Sequence, residues 1–374
     1  MLKRINRQLH VYEPRLAGNE LAYVKDCLES GWISSLGKYI PEFEQKFADY
    51  CGVQYGVATS NGTVAIHLAL LGLGIREGDE VLLPSLTFVA SANPVLYVGA
   101  TPVFVDVDET SWTLDPEQLE RSITPRSRAI VVVHLYGQPC AMDKILEIAR
   151  RHRLVVIEDA AESHGAVYHG KRAGSFGNIS CFSFYGNKTI TTGEGGMCLT
   201  NDLHSAELIR HLRDQAMSKE KRYWHDVVGY NYRMTNIQAA IGVAQLEQID
   251  ALLDRKRAIA DLYTRKLRGV PGITTPPEVP GTRNSYWMYS CLVDERQYGL
   301  DRDRLMARLR GYGIDTRNFF YPLHTLPMYR SWGRPLPVTE RIAGTGLNLP
   351  SSPNLTDEEV TYITDAVCEI HTAG

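Results

Sequence analysis

Ala129-Ile130-Val131-Val132-Val133 is an unbroken apolar run, mostly β-branched, that stops at His134. A strand with one wet face alternates polar and apolar residues. A strand that does not alternate is buried on both faces, as in a parallel sheet covered by helices. Leu154 to Ile157 repeats the pattern, Val81-Leu82-Leu83 is a shorter run ending at Pro84, and Pro102 to Val107 reads as a further strand. Helical signals fall between these runs. Val64 to Leu71 follows the start signal Asn61-Gly62-Thr63, and Ser91 to Tyr97 tolerates Pro94 in a first turn. Met142 to His152 carries Ile145, Ile148 and Ala149 on one face. Strand and helix in alternation predict an α/β fold with a mostly parallel sheet.

The flanks read differently. Residues 1–50 form a helical lead-in, with Asn19 placed to cap a helix through Leu21 and Val24, followed by a loop from Gly31 to Gly37. The large α/β domain spans 51–250. Beyond the N-cap Thr235, one long helix is expected from Ile237 through Arg257 and further. Residues 251–374 predict a smaller α+β domain, with a loop at Val270 to Pro280, a strand over 286–293, and helices over Arg302 to Arg310 and Asp357 to Ile370.

Composition narrows the function classes. The 374 residues are 44% hydrophobic, enough for a large core. A net charge of -3, from 40 basic and 43 acidic residues, gives no basic excess for a nucleic-acid partner. No apolar run reaches the ~18 residues needed to span a membrane. Met1 to Arg7 is basic but lacks the apolar stretch of a signal peptide. The seven cysteines are scattered, with no C-x-x-C pair and no zinc spacing, so no metal site is expected and a reducing cytoplasm is.

The chemistry centres on Lys188. It stands where the strand Cys181 to Phe184 meets the polar, glycine-rich turn Gly186-Asn187-Lys188-Thr189 through Gly196. A lysine amine can form a Schiff base with an aldehyde cofactor, and a carboxylate can keep that cofactor's pyridine nitrogen protonated. Asp159, at the end of the strand Val155-Val156-Ile157-Glu158-Asp159, is the candidate carboxylate, and an unpaired charge there would be costly. Pyridoxal phosphate (PLP) also needs a phosphate cradle. Thr59-Ser60-Asn61-Gly62-Thr63 leads directly into a helix, whose N-terminal amides bind phosphate, and Ser183 is a second phosphate candidate. Phe88 is the candidate stacking residue, and Glu162 can reach the ring hydroxyl if the chain turns helically after Asp159. Each piece alone has an ordinary reading as a cap, a core aromatic or a solvated acid. Other catalytic signatures are missing: Glu77 breaks the dinucleotide pattern after Gly72-Leu73-Gly74, and there is no G-x-S-x-G, H-E-x-x-H or complete phosphate-loop motif.

Thr59 to Thr63, Pro84-Ser85-Leu86-Thr87-Phe88, Glu158 to Glu162 and Gly186 to Gly196 together resemble the DegT/DnrJ/EryC1/StrS sugar-nucleotide aminotransferases. The resemblance runs from Trp32-Ile33-Ser34-Ser35 to Tyr321-Pro322-Leu323-His324. It implies the aspartate-aminotransferase (type I PLP) fold, with a seven-stranded type of sheet. It also implies a PLP enzyme in which Lys188 carries the cofactor, Asp159 pairs with the ring nitrogen and Phe88 stacks on the ring. Gly62, Thr63 and Ser183 would bind phosphate. Asn231, in Gly229-Tyr230-Asn231-Tyr232-Arg233-Met234, would reach a second copy's phosphate, which implies a homodimer with shared sites. Glu162 stands where many relatives have glutamine. That acid and the Gly186 to Gly196 run resemble the subgroup that aminates GDP-4-keto-6-deoxymannose at C4, giving GDP-perosamine, with L-glutamate as donor. Lys219, Arg222, Tyr223, Trp224, Phe319, Phe320, Tyr321 and His324 are the candidates for the sugar-nucleotide pocket, with interface packing as their other reading. Three alternatives stay open: a UDP- or dTDP-linked keto sugar as substrate, a sugar dehydratase, against which Lys188 argues because that branch has histidine there, and a non-catalytic PLP-binding regulator.

Overall fold

The computed structural model describes residues 7–372, so all of the Met1 to Arg7 run except Arg7 lies outside it. Among these residues a seven-stranded sheet is built from β1 (Tyr55–Thr59), β2 (Glu80–Pro84), β3 (Thr101–Val105), β4 (Ser127–Val133), β5 (Val155–Asp159), β6 (Ile179–Ser183) and β7 (Gly196–Thr200). The spatial order is β1-β7-β6-β5-β4-β2-β3. All neighbours pair in parallel except β7, which runs antiparallel to both β1 and β6.

The helices that cover this sheet or join it to the rest of the chain include α1 (Glu20–Ser30), α2 (Tyr39–Cys51), α3 (Gly62–Gly72), α4 (Met142–His152), α5 (Asn236–Leu246), α6 (Ile249–Leu267) and α7 (Asp357–Thr372). The unbroken apolar run of β4 is explained by what covers it. Val131 and Val133 pack with Ala65, Ile66 and Leu68 of α3. Ile130 and Val132 pack with Met142, Ile145 and Ile148 of α4 on the other face. The helical lead-in is stitched into a third cluster, where Phe43 and Phe47 of α2 meet Phe182 and Phe184 at the end of β6. The Phe47 and Phe182 rings meet edge to face at 4.8 Å, a geometry aromatic quadrupoles favour.

A second sheet, β8 (Ile273–Thr274), β9 (Tyr289–Val293), β10 (Arg317–Asn318) and β11 (Gly346–Leu349), has the order β8-β9-β11-β10 and is antiparallel throughout. It has its own apolar cluster, in which Tyr289, Cys291 and Leu347 pack with Tyr263 of α6 and Ile363 of α7. Residues 9–14 run along this second body. Leu9 bridges Ile314, and Val11 accepts from the Ser351 amide at 3.0 Å.

Two local expectations are corrected. The long helix after Thr235 is two helices. Thr235 does form a capping box with Gln238, but Gln248, at φ -112 and ψ 1, leaves helical geometry. The break lets α5 bury Ala239, Ala240 and Val243 beside α2, while α6 buries Ile259, Ala260 and Tyr263 in the second body. Asn19 precedes α1 but makes no side-chain cap. Its amide donates instead to Glu247 at 2.8 Å.

Candidate active site

The carboxyl ends of β1, β4, β5 and β6 share one edge of the large sheet, the edge where open α/β sheets place ligands. A cavity of about 890 Å³ opens there, and the second body closes one side of it with Trp287, Arg317, Asn318 and Asn348. Of the residues singled out from sequence, Gly62, Thr63, Phe88, Asp159, Glu162, Ser183, Lys188 and Phe320 line it.

β5 delivers two acids with opposite fates. Glu158 is wholly enclosed. It accepts from His134 Nε2 at 2.9 Å, from the amides of Gly174, Phe176 and Gly177 at 2.8, 2.7 and 2.6 Å, and from Ser180 Oγ at 2.8 Å. Burial opposes its charge, yet these donors hold the carboxyl below its ordinary range. Asp159, on the next pleat, has fewer partners: Ser91 Oγ at 2.6 Å and the Ala161 amide at 3.2 Å. Burial pushes its carboxyl up, and Ser91, the Ala161 amide and the charge of Lys188 offset this only in part.

Glu162 follows β5 and is buried. One oxygen accepts the Tyr136 amide at 2.7 Å, and the other stands 3.9 Å from the Lys188 amine. Burial raises the Glu162 carboxyl to about 7, with Lys188 pulling the other way. Tyr136 holds φ 53, a left-handed conformation uncommon for a tyrosine, at the residue whose amide meets Glu162.

Lys188 is buried. Its amine lies 3.7 Å from the centroid of the Trp287 ring. Burial lowers its pKa, and Glu162 then Asp159 raise it in part. A desolvated lysine amine of this kind is a nucleophile in waiting.

The cavity floor is the start of α3. Asn61 caps the helix by accepting from the Val64 amide at 3.0 Å, and the first amides of a helix have no intrahelical acceptors. At Gly62 an added Cβ would fall 2.8 Å from Ser183 Cβ, so only glycine lets the helix start approach the end of β6. Half-exposed Phe88 lies across the cavity, its ring 5.5 Å from that of Phe320.

These residues fit PLP. The chain supplies an amide cradle beside a serine hydroxyl for a phosphate, a buried carboxyl for a pyridinium, and a desolvated amine for an aldehyde.

Several sequence candidates do not reach this cavity. Phe319 is buried beneath Gly346, with its ring 4.7 Å from that of Tyr136. His324 is buried between Ser85 Oγ at 2.8 Å and Glu340 at 3.1 Å. Lys219, Arg222, Tyr223, Trp224, Asn231 and Tyr321 are exposed and do not line it. Conversely, Ser91, Tyr136, Trp287, Arg317 and Asn348 belong to the site or its wall without any motif to mark them.

A strand-edge cavity holding a desolvated lysine, a buried aspartate and a helix-start cradle defines a PLP-dependent enzyme of amino-group chemistry. The chain belongs to the DegT/DnrJ/EryC1/StrS aminotransferase family, which matches residues 14–368, and PLP is its cofactor. It is 49% identical over 365 residues to the GDP-perosamine synthase of Escherichia coli O157:H7, covering 98% of this chain and 99% of that one. It is 50% identical over 367 residues to the GDP-perosamine synthase of Caulobacter vibrioides, covering 97% and 98%. Its fold matches the crystal structure of S. venezuelae DesV in complex with a ketimine intermediate, with a TM-score of 0.89, 39% identity and 94% of each chain covered.

Proposed function

We propose that this aminotransferase moves the amino group of L-glutamate to C4 of GDP-4-keto-6-deoxy-D-mannose and releases GDP-perosamine. The observation that carries the substrate is the near-half identity, over nearly the whole chain, to two GDP-perosamine synthases. PLP, when bound, serves as the electron sink that lets the donor's α-proton leave.

The chain's own residues do the rest. Lys188 would hold the cofactor aldehyde, and its amine would be the base and acid that moves the donor's α-proton. Burial, by lowering its pKa, favours the neutral amine. Asp159 would keep the ring nitrogen protonated, and Ser91 orients Asp159. Gly62, Thr63 and Ser183 would hold the phosphate, Phe88 would cover the ring, and Glu162 would serve the ring hydroxyl. Trp287 and Phe320 wall the cavity and exclude water.

The active form in this reading is a cytoplasmic homodimer, with Asn231 of a second copy reaching the phosphate. Asn231 is exposed and stands apart from its own cavity's lining, as such a role requires. Exposed Trp32, Ile33, Leu36, Tyr223 and Trp224 supply apolar surface for the contact. Lys219, Arg222, Tyr223, Trp224 and Tyr321 then serve the nucleotide across it.

The test is a panel of GDP-, UDP- and dTDP-linked 4-keto-6-deoxy sugars with glutamate, read by mass spectrometry. A site built for guanine rejects bases that leave its polar groups unpaired, so the GDP sugar should dominate in kcat/KM. Equal turnover of a UDP or dTDP sugar removes the substrate assignment and leaves the aminotransferase.

A further inference from the structure

The tip of Lys188 is fixed by the cavity, but its backbone is fixed by groups from distant parts of the chain. The Tyr12 hydroxyl, 176 residues away in sequence, donates to the Lys188 carbonyl at 2.5 Å. One residue earlier, Trp287 Nε1 donates to the Asn187 carbonyl at 2.7 Å, while its ring underlies the Lys188 amine. The Lys188 amide donates to the Tyr185 carbonyl at 2.9 Å. Lys188 sits in a turn with Gly186 before it and Gly193, Gly195 and Gly196 after it. Glycines give a turn conformational freedom, so the bonds from Tyr12 and Trp287 add to those within the turn in setting which way the lysine stem leaves the backbone.

Tyr12 is itself held on a strap. The Leu9 amide donates to Gly313 at 2.9 Å, the Asp315 amide to Leu9 at 2.8 Å and the Ser351 amide to Val11 at 3.0 Å. Ser352 Oγ donates to the Glu13 carbonyl at 2.8 Å. Beneath the strap the buried Lys256 amine lies 5.1 Å from the centroid of the Tyr12 ring and donates to the Ser351 carbonyl at 2.9 Å. Among the described residues Lys256 has no carboxylate partner, so the ring face and that carbonyl are its polar surroundings.

We propose that Tyr12 is a positioning residue for Lys188: the strap, anchored on the second body, aims the amine into the cavity through the Lys188 carbonyl. This rests on the reading of Lys188 as the cofactor-bearing amine.

Tyr12→Phe removes one oxygen and keeps the ring on Lys256. In the PLP-loaded enzyme kcat should fall about 10- to 100-fold, the scale of a small misplacement of a reacting group. KM for each substrate should stay within about two-fold, because no binding contact is lost. The apo-enzyme should also capture added PLP more slowly, which reads the amine's aim without turnover. Tyr298→Phe is the control: it removes the same oxygen from a buried tyrosine of the second body, whose hydroxyl donates to the Val367 carbonyl at 2.7 Å and holds neither Tyr12 nor Lys188. It should lower the melting temperature and leave kcat and capture rate at the wild-type level. Wild-type kcat and capture rate in Tyr12→Phe would overturn the proposal. So would a loss of kcat in both variants that simply tracks their melting temperatures. Borohydride reduction of the loaded wild type separates the two readings. Label on another lysine sinks the assignment of Lys188 and the proposal with it. Label on Lys188 beside an unaffected Tyr12→Phe sinks the proposal alone.

Discussion

The Glu162 carboxylate stands 3.9 Å from the Lys188 amine while its second oxygen is anchored by the Tyr136 amide at 2.7 Å. The acid is thus held at a fixed distance from the amine whose charge it favours. Glu162→Gln keeps an acceptor for Tyr136 and removes the charge. Without the carboxylate the ammonium loses support, so the Lys188 pKa should drop. The pH midpoint for PLP capture by the apo-enzyme should move down by about 1 pH unit, if the pair interaction is worth ~1.4 kcal/mol. An unmoved midpoint would show that Glu162 does not act on the amine.

Asp159→Asn tests the electron sink. Asparagine can still accept from Ser91 or Ala161 but cannot hold a pyridinium charged. PLP should still be captured, and kcat should fall about 100-fold or more, the usual cost of losing one electrostatic partner at a reacting centre. Activity within a few-fold of wild type would make Asp159 structural.

Sharing of sites between copies is tested by mixing inactive Lys188→Ala with inactive Asn231→Ala. In a hybrid dimer one site collects both lesions and the other neither. Equal mixing should restore about a quarter of wild-type activity, since half the dimers are hybrids and half their sites are intact. No recovery, with hybrids shown to form, would place Asn231 outside the second copy's site.

Lys256 gives a pH prediction away from the cavity. Burial lowers its pKa to about 7, below the ordinary ~10.4 of an unfolded lysine. Between those values the unfolded chain binds a proton that the folded chain does not, so this residue makes stability rise with pH across that window. Below about 7 both states are protonated, the folded ammonium is poorly solvated, and the residue is at its most destabilising. Relative to Lys256→Met, the wild type should therefore gain stability steadily from about pH 7 to 10 in denaturant titrations. A flat difference would mean the amine stays charged throughout.

The sequence was legible where the physics is local. β4 declares itself through an unbroken apolar run because both its faces are covered, and Thr235 declares a helix start because its capping box closes within four residues. Asp159 and Lys188 could be singled out because strand ends and glycine turns leave marks in sequence. Ser91, Tyr136, Trp287 and Tyr12 could not. Each acts through one hydrogen bond or ring contact made across a long loop of chain, and no spacing rule encodes that. The break at Gln248 was hidden for the same reason: α5 and α6 diverge to serve different cores, while the residues between them are ordinary helix formers. Phe319 and His324 lie within a few residues of Phe320, which lines the cavity. Yet Phe319 packs under Gly346 and His324 bonds to Ser85 and Glu340, and no local pattern marks those partners.

The strap also sets an order of assembly. Its anchors at Ser351 and Ser352 are synthesised after every strand of the large sheet, and Tyr12 cannot settle on the Lys188 carbonyl until they are in place. A nascent chain can therefore complete its main sheet and cradle while its lysine remains unaimed. On the proposed role of Tyr12, the amine takes its working direction only once the second body has folded.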